Sequence, residues 1–207
     1  TNGELIIDNN NVAYSSMTSI VNGTYTFDSI TVSKKSTLNI TSGDILTIGD
    51  FNIKEGGIVM QSGNITINNF VLEGGGTFYC NAGEFKATAS GINIGNGGVF
   101  YLNTKLSLSN LTIVSGGILT HSQQDADFDL EVSNNLTIET GGKITADGKG
   151  YPTSSGPGRN TGSWGGGGYG GSGGHGLYGG QGGIVYGNMI EPIDLGSGGD
   201  YSEGSGG

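Results

Sequence analysis

The sequence predicts an all-β chain: a single-stranded parallel β-helix with three strands per coil, followed by a glycine-rich C-terminal segment. Three observations predict it. One phrase of strand, glycine bend and strand recurs six times along the chain. Apolar and polar residues alternate on both sides of each bend, the period of a strand with one dry face. No stretch of the repeating region carries a helical period. Repetition on this scale signals a solenoid, in which one copy cannot bury its apolar face alone but stacked copies can.

The clearest copy is NLTIETGGKITA, residues 135–146. Leu136 and Ile138 flank Thr137, and Ile144 and Ala146 flank Thr145. Gly141-Gly142 bends the backbone where a Cβ would cost energy. Copies open at Ser29, Asp50, Asn69, Gly91, Asn110 and Asn135, spaced 19 to 25 residues apart. The first is the most worn, with Lys35-Ser36 in place of the glycines. Aligned by copy, one inward column reads Ile30, Phe51, Phe70, Ile92, Leu111, Leu136. The next reads Val32, Ile53, Leu72, Ile94, Ile113, Ile138. After the bend comes Leu38, Val59, Phe78, Phe100, Leu119, Ile144. A third strand closes each coil, at Tyr25/Phe27, Leu46/Ile48, Ile65/Ile67, Ala87/Ala89, Leu106/Leu108 and Leu130/Val132. Successive coils are expected about 4.8 Å apart.

In chain order, residues 1–28 read as an irregular first coil or a cap, because Asn9-Asn10-Asn11 and Ser15-Ser16 interrupt the pattern. Residues 29–147 are the regular repeats. Residues 148–207 hold 25 of the 44 glycines, punctuated by tyrosines and one tryptophan. Glycine cannot enclose itself, so this segment is expected to pack on the solenoid, with MIEPIDL (189–195) fastening it there. Trp164, Tyr169 and Tyr178 are candidate contact aromatics of that segment.

Composition narrows the function. The 207 residues carry a net charge of −10, with only 8 Lys and Arg, and these are scattered. Nucleic acid is therefore not an expected partner. No apolar run approaches the roughly 20 residues of a membrane span, so insertion is not expected. Hydrophobic residues are 33% of the chain, low for a globular domain but enough for a narrow core column. The chain has no signal peptide and no initiating Met, so Thr1 is expected to be a processed start or a cut end. Cys80, the single cysteine, falls two residues after Phe78 in an inward column and is expected as buried filler.

The candidate sites are few. Sequons occur at Asn22, Asn39, Asn64, Asn110 and Asn135. Asn110 and Asn135 open copies and are expected to be tucked into a corner Asn ladder, whereas Asn39 faces outward and is the best acceptor. The insertion SQQDADFD (122–129) offers Asp125, Asp127 and Asp129 as a weak Ca²⁺ set, lacking the glycine that calcium loops use. His121 is expected as a hydrogen-bonded core residue. Tyr79 and Tyr101 share an outward column on adjacent coils, as a sugar-binding face or a cross-strand pair. The outward column Thr31, Asn52, Val71, Asn93, Thr112, Thr137 is too broken for an ice-binding ladder. No catalytic, cofactor-binding or dedicated metal residues are expected.

The stretch LEVSNNLTIETGGKITADGKGY, then GPG, a long Gly-Tyr run, YG and EPIDLGSGG, resembles a glycine-rich module of large bacterial and extracellular, adhesin-like surface proteins of the parallel β-helix type. The resemblance covers roughly residues 130 to 207. It implies a right-handed helix, a structural or adhesive role outside the cell, and a chain that forms part of something longer. It brings no catalytic residues. The expected function is a non-enzymatic extracellular solenoid, as a filament or matrix subunit, with other copies or host and matrix glycans as partners. The alternative is a carbohydrate-active lyase or hydrolase, or a carbohydrate-binding β-helix. Such enzymes need paired carboxylates or Ca²⁺ with a basic residue, and Arg159, the only arginine, lies among glycines.

Overall fold

A computed structural model describes residues 2–12, 16–87, 91–125, 127–162, 164–176 and 179–200. Ala89, Tyr178 and Ser15 lie outside the described residues. The strands in chain order begin with β1 (Glu4–Asp8), β2 (Thr18–Ser19), β3 (Thr24–Ser33), β4 (Thr37–Ile40) and β5 (Ile45–Ile53). Next come β6 (Ile58–Gln61), β7 (Asn64–Leu72), β8 (Thr77–Cys80), β9 (Phe85–Ala87) and β10 (Ile92–Ile94). The last are β11 (Val99–Leu102), β12 (Lys105–Ile113), β13 (Ile118–Thr120), β14 (Asp129–Ile138) and β15 (Lys143–Ile144).

The fold is a parallel β-solenoid. The first sheet runs β1-β3-β5-β7-β10-β12-β14, with β9 also on β7, and the second runs β15-β13-β11-β8-β6-β4-β2. Three strand segments per coil make two sheets because the closing segment of one copy runs straight into the opening segment of the next. Thr24–Ser33 is one such bent strand, stacked on Ile45–Ile53 and then on Asn64–Leu72. The inward columns hold in register: Ile30 on Phe51 on Phe70, and Leu111 on Leu136 with Ile113 on Ile138. Before Ser29, β1 already stacks on the first copy, Leu5 on Ile30 and Ile7 on Val32.

These columns form the core. Ile30, Val32, Ile53, Leu72, Ile94 and Ile113 are fully buried. Five phenyl rings meet in its middle; Phe78 lies 5.0 Å from Phe100 and 5.3 Å from Phe70, mostly edge to face. Burial fails at the last rung, where Leu136 is 47%, Ile138 45% and Ile144 37% exposed. In a solenoid each rung is covered by its neighbours on both sides, so periodicity marks these residues as inward while position leaves them open.

Two compact units divide the chain. One is Thr1–Thr120 with Asp127–Thr145; the other is His121–Ala126 with Ala146–Gly207. The first part of the acidic insertion, up to residue 126, thus falls in the glycine-rich unit, where the Gln124 N–H donates to the Lys149 carbonyl at 2.8 Å. That unit has no named strand among the described residues. Its extended segments bond backbone to backbone: Gly168 to Gly158 at 2.8 Å, and Gly166 to Gly174, Gly173 to Gly183 and Gly183 to Gly166 at 2.9 Å. Contacts this close leave no space for side chains; a Cβ on Gly182 or Gly183 would overlap the carbonyl of Gly173 or Gly158. Three apolar side chains of 189–195 lie open. Met189 is 75%, Ile190 88% and Ile193 84% exposed. The unit is held by its own groups: Tyr186 stacks edge to face on Tyr169 at 5.2 Å and donates its hydroxyl to the Leu195 carbonyl. Ser197 in turn donates to the Tyr186 hydroxyl at 3.0 Å and accepts from the Gly158 N–H at 2.8 Å.

Candidate functional site

The regular coils present few chemically distinctive places on their outer surface, so departures from regularity are informative. The largest lies in the first sheet. β7 carries β9 at Ile65–Ile67 and β10 at Val71–Leu72. β12 pairs with β10 only through Leu111–Ile113. Its first half, from Lys105 to Leu108, has β14 on one side and β9 on the other. Among the described residues no ladder joins β9 to β12. Phe85 of β9 occupies a column that carries Leu46, Ile65 and Leu130 in other coils, and its ring sits 5.6 Å from Phe78 and 5.7 Å from Phe70.

A cleft of about 420 Å³ lies beside β9 and β12, lined by Gly83, Glu84, Phe85, Lys86, Lys105 and Ser107. A second, of about 260 Å³, shares Lys86 and Ser107 and adds Ser109, Glu131 and Ser133. Their charged groups interlock. Lys86 pairs with Glu84 at 2.7 Å, and Lys105 lies 3.5 Å from Asp129 and 3.9 Å from Glu131. The Ser107 hydroxyl donates to Glu131 at 3.1 Å. Sequence reasoning missed this place. Its signals were weak: two lysines on neighbouring coils of an acidic chain, and the break in pattern after Ala87.

The aromatic pair is well formed but closed. Tyr79 and Tyr101 stack with centroids 4.4 Å apart and planes 13° from parallel. They are register partners, and Met60 and Thr120 continue the column on either side. Each ring spends a face on the other, so edges rather than faces point outward, which favours the cross-strand role over a sugar platform. Burial raises the Tyr79 hydroxyl above its ordinary pKa, with Tyr101 adding to the effect. Trp164 is exposed, and its backbone N–H donates to Asp200 at 2.6 Å. Tyr169 is packed inside the glycine unit against Tyr186.

The aspartates of the insertion are not brought together. Asp125 falls in the second unit, Asp127 in the first, and Asp129 sits on β14 beside Lys105. Among the described residues no three His, Cys, Asp or Glu side chains converge as a metal site. Of the sequons, Asn39 faces outward as expected but is half-buried between Ser19 and Met60. Asn22, Asn64 and Asn135 are exposed, and Asn110 is half-buried. The expectation that Asn135 is tucked in is therefore corrected: its rung has only one neighbour. The corner ladder exists in part. Asn69 donates to Asp50 at 2.7 Å, and Asn134 and Asn135 donate to Asn110 at 3.0 and 3.4 Å.

Two buried polar residues also escaped sequence reading. Asp44 accepts from the Thr41 N–H at 2.6 Å and its hydroxyl at 2.9 Å, closing the turn between β4 and β5. Gln61 lies in an inward column, and its amide donates to the Gly63 and Ala82 carbonyls at 2.5 and 2.6 Å, tying two coils together. Cys80 is buried, as is His121, and burial pushes the Cys80 thiol up to about 12. Among the described residues no helix is long and apolar enough to cross a membrane.

Fold and surface together define a β-solenoid with a glycine-packed companion unit. No known protein family matches the sequence, and no curated protein or solved structure matches it either.

Proposed function

We infer that this chain is a non-enzymatic structural and adhesive β-solenoid of the extracellular surface, acting as a subunit of a filament or matrix. The observation that carries this is the last rung. Among the described residues no further strand pairs with the outer edges of β14 and β15, and Leu136, Ile138 and Ile144 lie open in columns that are dry in the preceding coils. Leu5 and Ile7 head the same two columns at the other end of the stack. A second copy placed end to end would continue both, so axial addition needs no new surface. The resemblance of residues 130–207 to adhesin-like modules supports the extracellular location, and the exposed sequons Asn22, Asn64 and Asn135 suit a glycoprotein. The carboxylates gathered on one face, Glu84, Asp129 and Glu131, each have a lysine within ion-pair distance, which suits a surface better than an acid–base pair.

Sedimentation velocity and electron microscopy test this. The parent is expected to form linear assemblies as concentration rises. Ile138→Lys should keep the strand signature in circular dichroism and remain monomeric, because a charge in the open column blocks the next rung. A parent that stays monomeric throughout would sink the filament reading. A carbohydrate-binding role is the second reading, favoured by the polar clefts beside β9 and β12.

A further inference from the structure

We propose that Tyr79 and Tyr101 form an oxidative cross-linking site, at which a peroxide-driven one-electron oxidant joins the two rings by a carbon–carbon bond and ties adjacent coils covalently. This goes beyond the structural role above and does not depend on axial assembly. The first argument is geometry. The two residues are register partners on β8 and β11. Their rings stack face to face, with centroids 4.4 Å apart and planes 13° from parallel. A phenoxyl radical carries its unpaired spin in p orbitals that stand perpendicular to the ring, at the oxygen and at the ortho and para carbons. Two such radicals couple most directly when their faces oppose. The para carbon already bears Cβ, so the ortho carbons, Cε1 and Cε2, are free to bond. Reacting atoms held about 3–3.5 Å apart have already met the entropic cost of encounter, and stacking leaves these rings only a short approach.

The second argument is access. Alternation along β8 and β11 buries Phe78, Cys80, Phe100 and Leu102 and turns the tyrosines to the outer face. Both tyrosines are half-buried, so an oxidant can reach their edges. Tyr169 and Tyr186 make the contrast, because their planes lie 82° apart. There the edge of one ring meets the face of the other, and the p orbitals do not align. The step balances as follows. Each phenol gives up one electron and its hydroxyl proton. The two radicals pair one ortho carbon from each ring in a single bond. Each bonded carbon then passes its hydrogen, as a proton, to its own phenolic oxygen, which restores both aromatic rings. Hydrogen peroxide takes up the electrons and protons and leaves as water.

The test treats the dilute intact chain with hydrogen peroxide and a haem peroxidase, and reads the product by dityrosine fluorescence and peptide mapping. The main cross-link should join the peptides carrying Tyr79 and Tyr101 within one chain, with the loss of two hydrogens. Further dilution should leave its yield unchanged. Tyr79→Phe and Tyr101→Phe keep the stacked rings, yet each should lose the product, whereas Tyr169→Phe should retain it. The cross-linked chain should unfold at higher urea than the untreated parent. Chain unfolded in urea before treatment should show no preference for this pair. Cross-links spread evenly over other tyrosines, a product formed only between chains, or survival of the product in Tyr79→Phe would overturn the assignment. So would oxygen added to Met60, the neighbour of Tyr79 in the column, with no bond between the rings. The axial-assembly reading is untouched by any of these results, since Ile138→Lys tests it separately.

Discussion

The paired glycines at each bend do two different jobs. Gly56, Gly75, Gly97, Gly116 and Gly141 take positive φ, between 74° and 90°. Their followers, Gly57, Gly76, Gly98, Gly117 and Gly142, do not; they sit where a Cβ would run into the carbonyl of Val32, Ile53, Leu72, Ile94 or Ile113 on the preceding coil. In the worn copy Lys34 and Lys35 adopt the strained φ of 49° and 63°. Ser36 stands at the close approach and turns the clash into a bond, donating its hydroxyl to the Ile7 carbonyl at 2.8 Å. Gly98→Ala is therefore expected to cost about 1–3 kcal/mol by overpacking. Gly171→Ala, with nothing within 4 Å of its added methyl, should change stability by less than about 0.5 kcal/mol. Equal midpoints in urea for the two variants would refute the close-approach role. Cys80 gives a pH prediction. A thiol that ordinarily titrates near 9 is pushed up to about 12 by burial. The folded state keeps the neutral form, so this contribution is complete below the unfolded pKa and is lost as pH rises toward the folded one. Between those values the parent should lose stability faster than Cys80→Ala, by up to about 1.4 kcal/mol per pH unit. Parallel pH profiles would show that the thiol is not held neutral by the fold.

At the scale of the strand, position in the stack decides how much a residue is worth. Ile113 and Ile138 are register partners of the same type. Ile113 is fully buried, while Ile138 is nearly half exposed. Ile113→Asp places an unpaired carboxylate between two coils and should cost several kcal/mol, enough to unfold much of the stack. Ile138→Asp in the monomer should cost less than half as much. Urea unfolding checks this, and equal losses would mean that the last rung is covered. The bent strands also explain how three predicted segments yield two sheets. The corner between segments, at Ser29, Asp50 and Asn69, stays in register and keeps its ladder, so the bend does not interrupt the sheet.

For the molecule as a whole, the glycine-rich unit is the unusual part. Glycine loses more backbone freedom on ordering than any other residue. Here that loss is offset by amide-to-carbonyl bonds among segments packed too closely for any Cβ. The amides of Gly166, Gly168, Gly173 and Gly183 each donate to a backbone carbonyl and should exchange slowly in the isolated chain. Immediate exchange at all four would make the segment a linker. Protection that appears only in assemblies would make it the interface between subunits. Ile190 and Ile193 are exposed, so replacing both by Ser should leave this protection unchanged.

The sequence by itself determined the coil, its register and its dry columns. Period-two alternation names the inward face, and a repeat of 19 to 25 residues stacks each copy on the last, so column partners such as Leu111 and Leu136 could be read by alignment alone. Tertiary structure decided everything that depends on a neighbour one coil away. It buried Asp44 and Gln61 in corners that composition reads as polar turns, and left Leu136 and the 189–195 phrase open despite their apolar pattern. It turned the Tyr79 and Tyr101 faces toward each other. The physical reason is that alternation records which side of a strand is dry, whereas burial, clearance and pairing are set by what lies across the next 4.8 Å step, roughly one rung spacing.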